Sequence, residues 1–227
     1  TPSFFKMCGI LFTTKPCDTF FKRLLSLKKR GPNGISMITH NNLTFGHTRL
    51  CIKDPINGGQ PIEQDGYILI HNGEIYGHSS EKSDSYQIID AVKKYGMTEE
   101  AVKSLDGIFA FVIYEISTQK VLVARDPIGV IPLYMAQDCN GVIIASELKA
   151  LCGYINIEVF PPGHMVVASN NWCFPSLHKY IPEYNILPNG THEPGKLRSL
   201  LASAIDKRLN MDVPWGILLS GGLDSSC

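Results

Sequence analysis

The stretch that decides the fold runs from Gly107 to Asp126, GIFAFVIYEISTQKVLVARD. Two runs rich in β-branched and aromatic residues flank Ser117-Thr118-Gln119-Lys120, a polar break of turn length, which predicts a β-hairpin. The same pattern extends downstream. IPLYMAQ (131–137) and VIIASE (142–147) are joined by a turn at Asp138-Cys139-Asn140-Gly141, and HMVVAS (164–169) follows Pro161-Pro162-Gly163. Upstream, CGILFTT (8–14) reads as a short apolar strand, GISMITH (34–40) and LTFGHTRL (43–50) flank Asn41-Asn42, and YILIHN (67–72) is a further strand. Helical spacing occurs in DTFFKRLLSLKK, with Asp18 at the expected N-cap and Gly31-Pro32 as the stop, and in DSYQIIDAVKKYG and TEEAVKSL. Strands come in hairpin-linked groups and helices in separate groups. That arrangement predicts antiparallel sheets layered with helices, an α+β chain, not alternating βαβ units.

Composition narrows the function. The 227 residues are 44% hydrophobic and 19% charged, with Lys plus Arg and Asp plus Glu both at 21. A chain of this kind buries a sizeable core and carries no net field to draw in nucleic acid or a membrane surface. The basic run Lys28-Lys29-Arg30 reads as a solvated helix end. The seven cysteines contain no CxxC pair, so no metal site is assigned. Free thiols in a reducing cytoplasm fit best.

From about Asn170 to Pro194 the chain turns rich in Pro, Asn, Gly and Tyr and reads as an interdomain linker, dividing a first domain at 8–190 from a second unit at 191–227. Beyond it, Leu197, Leu200, Leu201, Ala204, Ile205 and Leu209 form one stripe of an amphipathic helix. WGILL (215–219) reads as a buried strand entering SGGLDSS (220–226). Gly221 and Gly222 would let backbone N–H groups approach phosphate oxygens, with Ser220, Ser225 and Ser226 as hydroxyl donors. No Gly-Lys-Ser/Thr ending is present, so this is not a Walker loop. The heptad resembles the pyrophosphate loop of the ATP pyrophosphatases, with Asp224 placed to face magnesium.

Several segments of the first domain are ambiguous alone. A free cysteine such as Cys8 is usually inert and buried. Arg49 at a strand end could be a surface ion pair or a fork for a carboxylate. Asn72-Gly73 could be a turn or a pair of oxyanion donors, and Asp84 an N-cap or a group that holds an ammonium.

Their order is more specific. MCGI, RGPN, HTRL, GGQP, NGEIY, SD, LDGIFAF, ARDPIGVIPLY, ASELKAL and FPPG, followed by DVPWGILLSGGLDSS, resemble the glutamine-hydrolysing asparagine synthetases. These carry a class II amidotransferase domain of the N-terminal-nucleophile hydrolase group. The resemblance covers residues 7–227 and implies a four-layer αββα sandwich. It implies Cys8 as nucleophile with its own α-amine as base, and Asn72 and Gly73 as oxyanion donors. Glutamine would be held by Arg49, Glu74 and Asp84, with Leu50, Ile52 and Lys53 lining the pocket. ATP would lie on Leu219, Ser220, Gly221, Gly222, Asp224 and Ser225. The full-length synthetase is expected to use ATP and Mg2+, the glutaminase step no cofactor. Expected partners are glutamine, aspartate and the remainder of the synthetase domain. Nucleic acid and membrane are not expected, and oligomeric state is left open.

Three departures qualify these expectations. Seven residues precede Cys8, and an acylated α-amine is no base. Either Met7 is the initiator and Thr1–Lys6 a leftover, the favoured reading, or residues 1–7 are a propeptide removed later; the chain as written is expected to be inactive on glutamine. Ser85-Tyr86 stand where the family usually has Cys/Thr-Glu. Most of the synthetase domain is absent, so Asp206–Cys227 is expected to be unsettled. A related synthetase acting on another acid, or a non-catalytic binding module, are the competing readings.

Overall fold

A computed structural model describes residues 7–77, 82–138, 141–169, 174–181, 193–209 and 211–226. Among the described residues, twelve strands form two six-stranded antiparallel sheets. The first orders β10 (Ile157–Val159), β8 (Tyr134–Asp138), β9 (Gly141–Ala145), β1 (Gly9–Thr13), β3 (Leu43–Arg49) and β2 (Gly34–His40). The second orders β12 (His178–Lys179), β11 (His164–Ser169), β7 (Lys120–Arg125), β6 (Gly107–Glu115), β5 (Tyr67–Ile75) and β4 (Ile62–Gln64). The opening hairpin is β6–β7, in register from Ala110 opposite Arg125 to Glu115 opposite Lys120, with Gln119 at φ 54° in the turn.

Alternation along each strand sorts side chains into layers. Ile10, Phe12, Leu43 and Phe45 of the first sheet meet Ile68, Ile70, Val112, Tyr114 and Val123 of the second in the central core. The opposite faces carry helices. Leu11, Ile143 and Ala145 pack against Phe20, Leu24 and Leu27 of and just after α1 (Phe20–Ser26) and against a 3-10 turn at Leu148–Leu151. Leu69, Phe109, Phe111 and Leu122 pack against α2 (Tyr86–Tyr95) and α3 (Glu99–Lys103). The result is helix, sheet, sheet, helix, the expected four-layer sandwich.

Several local expectations are corrected. Asp18 is exposed and the N-cap of α1 is Thr19, whose hydroxyl accepts from Arg23 Nε at 3.0 Å. The helix ends at Ser26, ahead of Gly31. Gly31 serves close packing: a Cβ there would lie 2.2 Å from the Thr48 carbonyl. Lys28 and Lys29 are exposed, but Arg30 turns inward and donates from Nε to the Cys8 carbonyl at 2.8 Å. Asp84 is not a helix cap either, since Ser85 precedes α2 and the Asp84 carboxylate binds elsewhere.

Most of the predicted linker lies outside the described residues. Its central part does not behave as one: His178–Lys179 pairs with β11, and buried Tyr180 donates its hydroxyl to the Arg125 carbonyl at 2.8 Å. Past it, α4 (Pro194–Asp206) forms as expected, but its stripe is bare, with Leu197 69% and Leu200 61% exposed. WGILL is not a strand among the described residues, and Leu219 is 73% exposed. A strand needs a neighbour for its backbone donors and acceptors, and the described residues pair no strand with it. Three residues beyond α4 nevertheless dock: Lys207 pairs with Asp106, Arg208 stacks over the Tyr76 ring and Asp212 contacts Lys53.

Candidate active site

The inner stripes of three strands change from apolar to polar at one end of the sandwich. On β1 the stripe Phe12, Ile10 continues to Cys8; on β3, Leu43 and Phe45 continue to His47 and Arg49; on β5, Ile68 and Ile70 continue to Asn72 and Glu74. On β6 the same stripe ends at Ile108, opposite Glu74. These ends surround one cavity of about 130 Å3. It is lined by Cys8, Arg49, Leu50, Ile52, Lys53, Asn72, Gly73, Glu74 and Asp84, all nine residues assigned to a glutamine pocket from sequence.

The Cys8 thiol meets the backbone of Leu50 twice, accepting from its N–H at 3.3 Å and donating to its carbonyl at 3.6 Å. Burial pushes the thiol pKa up. The Leu50 contact opposes this, Asp84 adds to it, and Arg49 and Arg30 oppose it. The thiol is therefore protonated at neutral pH and needs a base to react. Its nitrogen is an amide, bonded to Met7.

Arg49 is not a surface ion pair. Its guanidinium donates to the carbonyls of Asp54 at 2.5 Å and of Lys53 and Pro55 at 3.3 Å each. Neutral carbonyls orient the fork without cancelling its charge, which leaves it attractive to a carboxylate.

β5 continues through the expected turn to Ile75, so Asn72 and Gly73 sit inside a strand opposite Ala110 and Phe109. Gly73 has φ 141°, and a Cβ there would fall 2.0 Å from the Ile108 carbonyl, so only glycine fits. Asn72 is 1% exposed, and neither atom of its amide has a hydrogen-bond partner among the described residues. A buried amide without partners costs about 1–3 kcal/mol, and such a group in a cavity wall is suited to a ligand oxygen.

Asp84 reaches the cavity from the loop before α2 and accepts the Ile75 N–H at 2.7 Å. Burial raises the Glu74 pKa to about 7. Asp84 adds to this, and Arg208 and Lys53 counter it. Two carboxylates thus share the cavity with Arg49, a polarity suited to an α-amino acid.

Other cavity residues had no role assigned from sequence. Gln60 Oε1 accepts the His71 N–H at 2.6 Å and its Nε2 donates to Ser85 Oγ at 3.2 Å; Ser85 Oγ also lies 2.9 Å from His71 Nδ1. Ser85, the departure from the family pattern, thus ties α2 to the edge of β5 beside Asn72. His47 is held neutral, its pKa pushed down to about 3 by burial and by the neighbouring His71. The available signal was a polar residue interrupting an apolar strand. Among the described residues, no group of three His, Cys, Asp or Glu side chains could hold a metal ion.

Residues 7–161 match the glutamine amidotransferase domain family. The chain belongs to that family. Residues 196–227 match the asparagine synthase family. The chain is 39% identical to the nodule asparagine synthetase [glutamine-hydrolyzing] of Pisum sativum, and 35% identical to an asparagine synthetase [glutamine-hydrolyzing] of Oryza sativa subsp. japonica. Each match covers 97% of this chain but only 41% and 40% of the relative, so the chain spans about two fifths of their length. The glutamine phosphoribosylpyrophosphate amidotransferase of B. subtilis superposes with a TM-score of 0.65 at 19% identity, over 78% of this chain and 50% of that one, which supports the amidotransferase fold.

The 219–222 loop is shaped but exposed. Gly221 has φ 80°, Ser220 Oγ lies 2.9 Å from Ser225 Oγ, and a single helical turn, α5 (Leu223–Ser226), follows. Leu219, Ser220, Gly221, Gly222, Asp224 and Ser225 are together in sequence and apart from the cavity residues above.

Proposed function

We propose that this chain is the glutamine-hydrolysing part of an asparagine synthetase. The carrying observation is that Cys8, Arg49, Asn72, Glu74 and Asp84 line one cavity, with an unpartnered buried amide at Asn72. Arg49 binds the glutamine α-carboxylate, while Asp84 and Glu74 hold its α-ammonium. The side-chain amide is then left beside Cys8.

Once the peptide bond to Met7 is absent, the Cys8 α-amine titrates near neutrality and takes the thiol proton. Sulfur bonds to the side-chain carbonyl carbon, and the oxyanion is met by Asn72 Nδ2 and the Gly73 N–H. The carbon–nitrogen bond then breaks, ammonia leaves with the transferred proton, and water hydrolyses the thioester to glutamate. One oxyanion donor contributes roughly 10²–10³ in rate.

In the full-length protein, residues Leu219–Ser225 would hold ATP, and Asp224 would offer its carboxylate to Mg2+. Ammonia there displaces AMP from aspartyl-AMP to give asparagine. A boundary near residue 190 separates the two units. The free thiols at Cys8, Cys17, Cys51 and Cys152 support a cytoplasmic setting, and no helix among the described residues is long and apolar enough to cross a membrane.

The test compares glutamate release from the chain beginning at Cys8, the same chain with Cys8→Ala, and the chain still carrying Met7. Release by the first alone supports the proposal. No release from the Cys8-first chain supports a binding module instead.

A further inference from the structure

The 50–58 loop carries Leu50, Ile52 and Lys53 and supplies every carbonyl that orients Arg49. A residue from well beyond the sandwich fastens it. The Asp212 carboxylate accepts the Asp54 N–H at 2.8 Å and pairs with Lys53 Nζ at 3.1 Å, and the Asp212 N–H donates to the Ile52 carbonyl at 3.2 Å. These contacts hold the Asp212 carboxyl below the usual carboxylate range. On the inner side of the loop, the Asp54 carbonyl accepts from both Arg49 and the Gly58 N–H, and the Asp54 carboxylate accepts the Asn57 N–H at 2.9 Å. Asp54 itself stands at φ 43°, a conformation that a non-glycine residue keeps only when its surroundings enforce it.

We propose that Asp212, a residue of the segment matching the asparagine synthase family, is a positioning residue for the glutamine pocket, fixing the 52–54 backbone so that Arg49 is aimed at the substrate carboxylate. The proposal rests on the glutaminase reading and adds to it: the pocket is incomplete without a residue from the following unit. Asp212 touches no substrate, so its effect falls on binding, not on the chemical step.

The experiment uses the Cys8-first chain and its Asp212→Ala and Asp212→Glu variants. Asp212→Ala is expected to raise KM for glutamine about three- to tenfold with kcat within about twofold. Asp212→Glu is expected to recover part of the loss, and the thermal midpoint of the sandwich to stay unchanged. Amide hydrogen exchange provides a readout independent of turnover: Asp54 and Gly58 should exchange faster in Asp212→Ala. An unchanged KM in an active chain, or unchanged exchange at Asp54, overturns the proposal and leaves the glutaminase reading intact. A parent chain that turns over no glutamine sinks that reading instead, and the exchange measurement still decides whether Asp212 fastens the loop.

Discussion

Burial and neighbouring charges set the protonation of Glu74 and His47, and two consequences can be measured. Glu74 must be ionised to hold an ammonium, and its pKa of about 7 makes that ionisation pH-dependent. Glutamine binding to a Cys8→Ala chain is expected to be about tenfold weaker at pH 6 than at pH 8, and Glu74→Gln should abolish the difference; calorimetry at both pH values checks it. The His47 pKa is shifted the other way, yet its effect also declines toward acid. Its pKa falls from 6.5 in the unfolded chain to about 3 in the fold, so the unfolded chain binds the extra proton. The stability that neutral His47 contributes is present above pH 6.5 and is lost as pH falls toward 3. Denaturant melts should show His47→Gln with a shallower decline over that window. Motif order named Cys8, Arg49, Asn72 and Asp84, and these residues line one cavity. Sequence reading misjudged Arg30 as solvated, since a charged residue after a helix gives no sign that its Nε will reach the Cys8 carbonyl.

Among the elements, β5 has the least freedom. Its polar end must leave Asn72 unpartnered while keeping register with β6. Gly73→Ala is expected to cost about 2–4 kcal/mol, because the added carbon meets the Ile108 backbone and not a movable side chain; a shift in denaturation midpoint measures it. The antiparallel sheets were legible in the hairpin-linked apolar runs, while the four-layer stacking came from the family resemblance and not from the pattern. Strand ends were less legible: YILIHN was expected to stop at Asn72, yet pairing with β6 carries it to Ile75 despite the glycine. WGILL failed for the converse reason. Its pattern is that of a buried strand, but a strand forms against neighbours, and local pattern cannot say whether they are present.

Across the whole molecule, the core and the exposed second unit should respond differently to the same substitution. Leu24 is fully buried under the first sheet, and Leu24→Ala should cost about 2–5 kcal/mol. Leu200→Ala on the bare face of α4 should change stability by less than about 0.5 kcal/mol, as read by thermal or denaturant unfolding. What ties the two units together is polar: Lys207 to Asp106, Arg208 over Tyr76, Asp212 to the 52–54 loop. None of these pairings was visible in sequence, since their partners lie more than a hundred residues apart.

The account turns on the Cys8 sulfur bonding to the side-chain carbonyl carbon of glutamine. Acid quenching of a Cys8-first chain during turnover, followed by peptide mass analysis, observes that bond directly. The expected result is one glutamyl group on the peptide bearing Cys8, absent from Cys8→Ala and from the chain still carrying Met7. Glutamate released at equal rates by the Cys8-first chain and by Cys8→Ala, with no adduct on either, would contradict it.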